Sequence, residues 1–201
     1  MKPIMMTMTP STKNRILPRS ERCARGFAIA CASIVLASAA PVLAQGSATA
    51  SIQAEVLKDW TALKETLMKI ADEMPAEGYG FKPTPAQETF GRRVVHIAVG
   101  GNRFLELMGG KAAAPKIDAA AAAMSKAAAM KALADSFDYG TAIIKSQTDQ
   151  SMLQTVDAPF LGPSSRARVF TFVMGHTWDL YGQLAVYLRL QGHVPPASQR
   201  P

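Results

Sequence analysis

The sequence predicts an all-α protein, a four-helix bundle preceded by a cleavable signal peptide. Four long segments carry apolar side chains at spacings of three and four, which is the period of an amphipathic helix. No segment alternates apolar and polar residues as a half-buried strand does, and clusters of glycine and proline separate the four segments. Because each amphipathic helix must bury its apolar stripe against another, four of them indicate a bundle.

The first helix is predicted over residues 50–74. Its apolar stripe consists of Ile52, Val56, Leu57, Trp60, Leu63, Leu67 and Ile70. Proline and glycine then crowd residues 75–88, so no helix crosses that segment. We expect this loop to cover one end of the bundle.

The second helix is predicted to begin near Thr89, a suitable N-cap, and to end at Gly109 and Gly110. The third spans about residues 117–150, where a high alanine content favours helix over disorder. Gly140 in its middle marks either a kink or a point of close packing.

The fourth helix is predicted to begin at Ser164 or Ser165 and to run to about Gln191. Gly192 follows it and is a typical helix stop. The connection over residues 109–118, between the second and third helices, is long enough for a crossover.

Residues 1–44 have the features of a secretory signal peptide. A basic stretch ending at Arg25 precedes an apolar run and a small-x-small triplet at residues 42–44. A membrane anchor is the alternative, but an apolar run of about 17 residues is short for a span, and no basic cluster follows it. The mature domain then covers residues 45–201, and we expect it to be periplasmic or secreted.

The distribution of charge argues against a polyanionic partner. The net charge is +7, but residues 1–44 hold +5 of it, and residues 45–201 have sixteen basic and fourteen acidic groups without a like-charge run. We therefore expect no nucleic-acid binding, and no stable membrane insertion after signal cleavage.

Both cysteines, Cys23 and Cys31, lie in the signal peptide, so the mature protein has no thiol for a disulfide, a nucleophile or a zinc ligand.

Three histidines are candidates for metal binding or acid–base chemistry. His96 lies in the second predicted helix, His176 in the fourth, and His193 after the fourth. Two interpretations of His96 and His176 stay open: each is a metal ligand, or each is a core histidine with satisfied ring nitrogens. A His-x-x-x-His pair, which would place two imidazoles on one helix face, is absent.

Two motifs together resemble the DinB/YfiT-like family. The first is Gly80-Phe81-Lys82-Pro83-Thr84-Pro85 with Thr89-Phe90-Gly91 and Val95-His96-Ile97-Ala98, and the second is His176-Thr177-Trp178-Asp179 with Tyr181-Gly182-Gln183-Leu184, Gly192 and Pro195-Pro196. The resemblance spans residues 52–198. It implies a four-helix bundle that binds a divalent metal such as zinc or nickel through one histidine of the second helix and a His-x-x-x-His pair of the fourth.

On that pattern, His96 and His176 occupy two of the three ligand positions, and Leu180, which has no ligating atom, occupies the third. We expect the two imidazoles to face each other across the second and fourth helices, with Leu180 pointing into the same cavity. Five side chains are candidate pocket residues: Trp60, Trp178, Asp179, Tyr181 and Gln183. For Trp178 and Tyr181, a plain core position is the alternative.

Two functions follow from this resemblance. One is a small-molecule-binding or stress-associated protein with a degenerate metal site, possible homodimer formation and a pocket for an apolar or aromatic ligand. The other is a divalent-metal-dependent thiol transferase or hydrolase that uses His96 and His176. Export argues against the second, since low-molecular-weight thiol cofactors are chiefly cytoplasmic. The sequence names neither a substrate nor a catalytic residue.

Overall fold

The computed structural model describes residues 51–199, and the predicted signal peptide lies outside the described residues. Within that range the helices are α1 (Ile52–Glu73), α2 (Phe90–Leu105), α3 (Ala119–Ala123), α4 (Lys126–Lys145), α5 (Asp149–Met152) and α6 (Arg166–Leu190). The strands are β1 (Thr155–Ala158) and β2 (Gly162–Ser165), and short 3-10 turns occupy Ala76–Gly80, Glu106–Met108 and Pro196–Ser198.

The long helices α1, α2, α4 and α6 form a bundle. Helices α1 and α2 lie at opposite corners of the bundle, and each of them packs against both α4 and α6. Their apolar stripes meet in one core whose fully buried members include Leu63, Leu67, Leu133, Phe170 and Leu184. The predicted helical bundle is confirmed. Across residues 51–199, no helix combines the length and apolarity needed to cross a bilayer.

Polar side chains determine where the long helices begin. Ser51, Thr89, Ser125 and Ser165 each accept a hydrogen bond from the backbone N–H three residues further on. These bonds satisfy N–H groups that have no partner inside the helix. The predicted starts at Thr89 and Ser165 are confirmed.

The segment predicted as one long third helix is divided into α3, α4 and α5. Ser125 adopts an extended conformation between α3 and α4, and its side chain caps α4. Thr148 begins the short α5 through a capping box with Ser151. The prediction of a single helix over residues 117–150 is wrong, because hydroxyl side chains compete with the helix for backbone N–H groups.

The chain between α5 and α6 forms an antiparallel hairpin that the sequence analysis did not predict. β1 and β2 pair in register along their whole length of four residues. Leu161 N donates to the Ala158 carbonyl at 3.1 Å and closes a turn with Pro159 and Phe160 at its centre. Strands this short show no alternation of apolar and polar residues, so periodicity gives no signal for them.

The loop of residues 75–88 packs over the end of the bundle where α1 and α6 finish and α2 begins. Tyr79 Oη donates to the Ala71 carbonyl in the last turn of α1 at 2.8 Å. Tyr187 Oη, near the end of α6, donates to the Glu88 carbonyl at 2.8 Å. Two phenol groups therefore fix the loop where the sequence predicts it.

Trp60 of α1 lies directly against Gly140 of α4. Its indole Nε1 donates to the Phe137 carbonyl at 3.0 Å, and its ring centroid is 4.7 Å from that of Phe137. A Cβ atom at position 140 would be only 2.3 Å from Trp60 Cζ2. Of the two roles open to Gly140, close packing is therefore the one the structure shows.

Candidate functional site

His96 and His176 face each other across the interface between α2 and α6. Their ring centroids are 5.5 Å apart, and the ring planes are inclined by 61°. His96 is exposed, whereas His176 is partly buried. The structure thus brings these two histidines together, as the sequence predicts.

A cavity of about 500 Å³ opens beside the two histidines. It is lined by His96, Gly100, Arg103, Phe104, Glu106, Pro159, Phe160, Phe172 and His176. Phe104 and Phe172 form an aromatic wall with ring centroids 5.1 Å apart. The Phe172 ring is nearly parallel to the His176 ring at a centroid distance of 6.4 Å. This size and lining are typical of a small-molecule pocket.

The tip of the hairpin forms one side of the cavity mouth. Phe160 at this tip is 94% exposed and has a φ of +67°. The left-handed conformation costs a residue with a Cβ about 1–2 kcal/mol, and glycine is the usual occupant of this turn position. Phe160 is not among the residues predicted from the sequence, because the nearby turn-forming residues Pro159 and Gly162 indicate a turn but not a cavity.

Two opposite charges flank the cavity on the α2 side. Arg103 and Glu106 both line it and are exposed. Glu106 also raises the pKa of Tyr139, although burial of that phenol is the larger cause. The mouth of the cavity can therefore accommodate either sign of charge on a ligand, whereas its aromatic wall is apolar.

Burial lowers the pKa of His176, the neighbouring His96 lowers it further, and Asp179 partly opposes both effects. The neutral imidazole is therefore favoured, and it has one N–H donor and one nitrogen acceptor. A lowered pKa in the folded protein means that the unfolded chain binds the proton more readily. Stability from this group is therefore lost as the pH falls below the ordinary histidine value of 6.5 and through the lowered pKa of the folded protein.

Leu180 lies one turn after His176 but is only 1% exposed and does not line the cavity. Side chains four residues apart on an α-helix differ in direction by about 40°, and this difference places Leu180 in the core. The expectation that Leu180 points into the cavity is therefore wrong.

None of the five predicted pocket residues lines this cavity. Trp60 belongs to the core between α1 and α4 and is 2% exposed. Gln183 Nε2 donates to Asp179 Oδ2 at 2.8 Å on the surface of α6. Trp178 and Tyr181 pack edge to face with centroids 5.5 Å apart. Successive side chains on an α-helix differ in direction by about 100°, so Trp178 points about 200° around α6 from His176, which lines the cavity.

The side chains beside the cavity do not make up a three-ligand metal site. Within residues 51–199, no three His, Cys, Asp or Glu side chains are grouped so that they could hold an ion. His96 and His176 supply two nitrogen ligands, and Leu180 supplies none. Zinc in proteins normally has at least three protein ligands, so the donor set falls one short.

The protein is a four-helix bundle in which side chains of the neighbouring helices α2 and α6 line a cavity. The family model of the DinB superfamily matches residues 59–184, and the chain belongs to that superfamily. The sequence resemblance to this family is thereby confirmed.

Two solved structures of DinB-like proteins are similar to this chain. One, from Bacillus cereus ATCC 10987, is 21% identical with a TM-score of 0.57, covering 73% of this chain and 96% of that one. The other, YjoA from Bacillus subtilis, is 15% identical with a TM-score of 0.56, covering 73% and 99%. At these identities the likeness shows the fold alone. A search of curated proteins found no match.

Proposed function

We propose that this chain is an exported small-molecule-binding protein whose site is the cavity beside His96 and His176. The observation that carries the proposal is the position of two facing imidazoles at one side of an aromatic-walled cavity of about 500 Å³. A pocket of this size can enclose most of a small organic ligand.

The lining favours a ligand with a flat apolar body and one polar group. Phe104 and Phe172 offer aromatic surface for stacking or edge contacts. The neutral His176 imidazole can donate one hydrogen bond and accept another, so it can anchor a hydroxyl or amine. This mode of binding requires no metal ion.

A divalent-metal-dependent thiol transferase or hydrolase is the second candidate. The facing of His96 and His176 supports it, because two imidazoles this close can reach a common ion. The buried leucine at the third position weighs against it, and so does the expected export of the mature chain. We therefore place it second.

The proposed function can be tested by filling the cavity from Gly100. A Cβ atom there would lie 3.9 Å from the His96 ring, which is an ordinary contact. Gly100→Leu should therefore occupy the cavity without a clash, and leucine improves helix propensity by about 0.8 kcal/mol. We expect wild type to bind N-phenyl-1-naphthylamine, a neutral aromatic fluorophore, and the variant to bind it at least about tenfold more weakly in a fluorescence titration.

Gly175→Leu is the matched control. Gly175 is also a glycine within a long helix, but it lies outside the cavity lining and a Cβ there meets no atom within 4 Å. This variant should bind the fluorophore as wild type does. The proposal is overturned if wild type does not bind the probe, or if Gly100→Leu binds it as well as Gly175→Leu does.

Phe160 is expected to contribute to ligand binding at a cost in stability. Phe160→Gly should raise the free energy of unfolding by about 0.5–1 kcal/mol, since glycine adopts the positive φ without strain. The same change should weaken fluorophore binding by about tenfold, because the aromatic cover is lost. Thermal unfolding and fluorescence titration measure the two effects.

Phe160→Tyr separates these effects, since it keeps both the ring and the strain. It should match wild type in stability and in fluorophore affinity. If Phe160→Gly retains full affinity, the hairpin tip has no part in binding.

A further inference from the structure

A second cavity, of about 490 Å³, lies where the loop after α2 meets the end of α4, α5 and the beginning of α6. It is lined by Met108, Gly109, Gly110, Lys111, Ala112, Ala142, Ser146, Gln147, Ser151 and Arg166. It shares no lining residue with the cavity beside the histidines. It is therefore a separate candidate site.

The ionisable residues that line this second cavity are both positive. Lys111 and Arg166 are its only ionisable lining residues. Among residues 51–199, no carboxylate lies within ion-pair distance of either one. A partly buried cation without a counter-charge is unfavourable, so the arrangement suits an anionic ligand.

The guanidinium of Arg166 is held in place but is not saturated with partners. Arg166 Nη1 donates to Gln147 Oε1 at 3.2 Å. Arg166 Nε is buried and has no hydrogen-bond partner among the described residues. The guanidinium therefore makes fewer hydrogen bonds than its donors allow.

The amide that orients Arg166 is itself fixed by its surroundings. Gln147 is 8% exposed, and its Nε2 donates to the carbonyls of Met108 and Ile143. Ser151 Oγ donates to the same Oε1 that accepts from Arg166, at 2.9 Å. The guanidinium is therefore oriented before any ligand arrives, which reduces the entropy lost on binding.

Two glycines with positive φ form part of the cavity lining. Gly109 and Gly110 have φ values of +67° and +135°. A Cβ atom at Gly109 would be 3.8 Å from Arg166 Nη2, and one at Gly110 would be 2.9 Å from Ile143 Cδ1. A side chain at either position would be strained by the positive φ, and one at Gly110 would also crowd Ile143, whereas one at Gly109 would meet Arg166 at an ordinary contact distance.

We propose that this second cavity binds a tetrahedral oxyanion, either free phosphate or the phosphate group of a small phosphomonoester. A guanidinium fork matches the oxygens of a phosphate, and the Lys111 ammonium adds a second positive charge. The volume leaves room for more than the anion itself, so a small organic group can accompany it.

The test is thermal unfolding of the purified protein at increasing phosphate, with chloride at equal ionic strength and pH as the reference. A ligand that binds the folded state raises the unfolding temperature, and the stabilisation grows with the logarithm of one plus the ratio of ligand concentration to Kd. Inorganic phosphate and glycerol phosphate should both raise it relative to chloride. The affinity derived from the rise should fall by about tenfold or more in Arg166→Gln and by about threefold or more in Lys111→Gln.

Arg168→Gln is the matched control, because Arg168 lies in the same first turn of α6, bonds Ser164 Oγ at 2.8 Å and lies outside the cavity lining. It should keep the wild-type affinity. A stronger response to glycerol phosphate identifies a phosphomonoester as the ligand, and an equal or weaker one identifies the free ion.

Three results would overturn the proposal: no rise over chloride, an equal rise with acetate, or wild-type affinity in both cavity variants. If Arg166→Gln loses its helical circular dichroism spectrum, Lys111→Gln decides, since Lys111 is exposed and its substitution is expected to leave the fold intact. Unchanged affinity in Lys111→Gln would then count against the site.

Discussion

Replacing Leu180 with histidine is expected to raise the affinity for zinc by about a hundredfold or more. Position 180 faces the core, but it is one turn after His176, and a polar imidazole that is disfavoured in the core can turn toward the two facing rings as a third ligand. Without metal, the same change should lower the free energy of unfolding by about 2–4 kcal/mol, since a polar ring replaces a leucine that is 1% exposed. Zinc should then restore the lost stability. Titration calorimetry and thermal unfolding with and without zinc measure these effects.

Leu184→His is the matched control for the cost of burying an imidazole. Leu184 is fully buried on the same helix one turn further on, but it does not correspond to a family ligand position. This variant should be destabilised to a similar degree and should gain no zinc affinity. Adding His176→Ala to Leu180→His should abolish the gain. If Leu180→His binds zinc no better than wild type, position 180 is not the missing ligand position.

Gly140→Ala is expected to lower the free energy of unfolding by about 1–2 kcal/mol. The added Cβ would lie 2.3 Å from Trp60 Cζ2 and 2.7 Å from Cε2, so the indole must move. Moving it disturbs the Nε1 bond to the Phe137 carbonyl and the ring contact at 4.7 Å. Overpacking costs about 1–3 kcal/mol, and a contact this short belongs at the upper end of that range, which exceeds the roughly 1 kcal/mol that alanine gains over glycine in a helix.

Gly182→Ala separates the clash from the helix propensity. Gly182 also lies within a long helix, but a Cβ there meets no atom within 4 Å. This variant should be as stable as wild type or slightly more stable in denaturant unfolding. Equal effects on stability at positions 140 and 182 would show that Trp60 does not limit the size of the side chain at position 140.

The long helices could be predicted because their signals are local. Spacings of three and four recur in each segment, and the caps at Thr89 and Ser165 are side chains adjacent to the helices they begin. The meeting of His96 and His176 is a tertiary contact, and periodicity alone does not show it. It was predicted from the family resemblance of the two motifs.

The cavity lining could not be predicted in the same way. Trp178, Asp179 and Tyr181 stand next to His176 in the sequence, but the rotation of the helix carries them to other faces. Phe160 lies in a hairpin too short to give a periodic signal, and it lines the cavity only because the fold places the hairpin tip beside residues that are distant in the sequence. Fold class therefore follows from local pattern, whereas a cavity depends on how elements from distant parts of the chain meet.

We propose that the cavity beside His96 and His176 binds a small molecule without a resident metal ion. The most informative test is to measure the metal content by elemental mass spectrometry, on protein purified without a chelator and without a histidine tag. We expect far less than one equivalent of zinc or nickel per chain, because two imidazoles and a buried leucine do not complete a site. One equivalent that survives gel filtration would contradict the account and favour the metal-dependent enzyme.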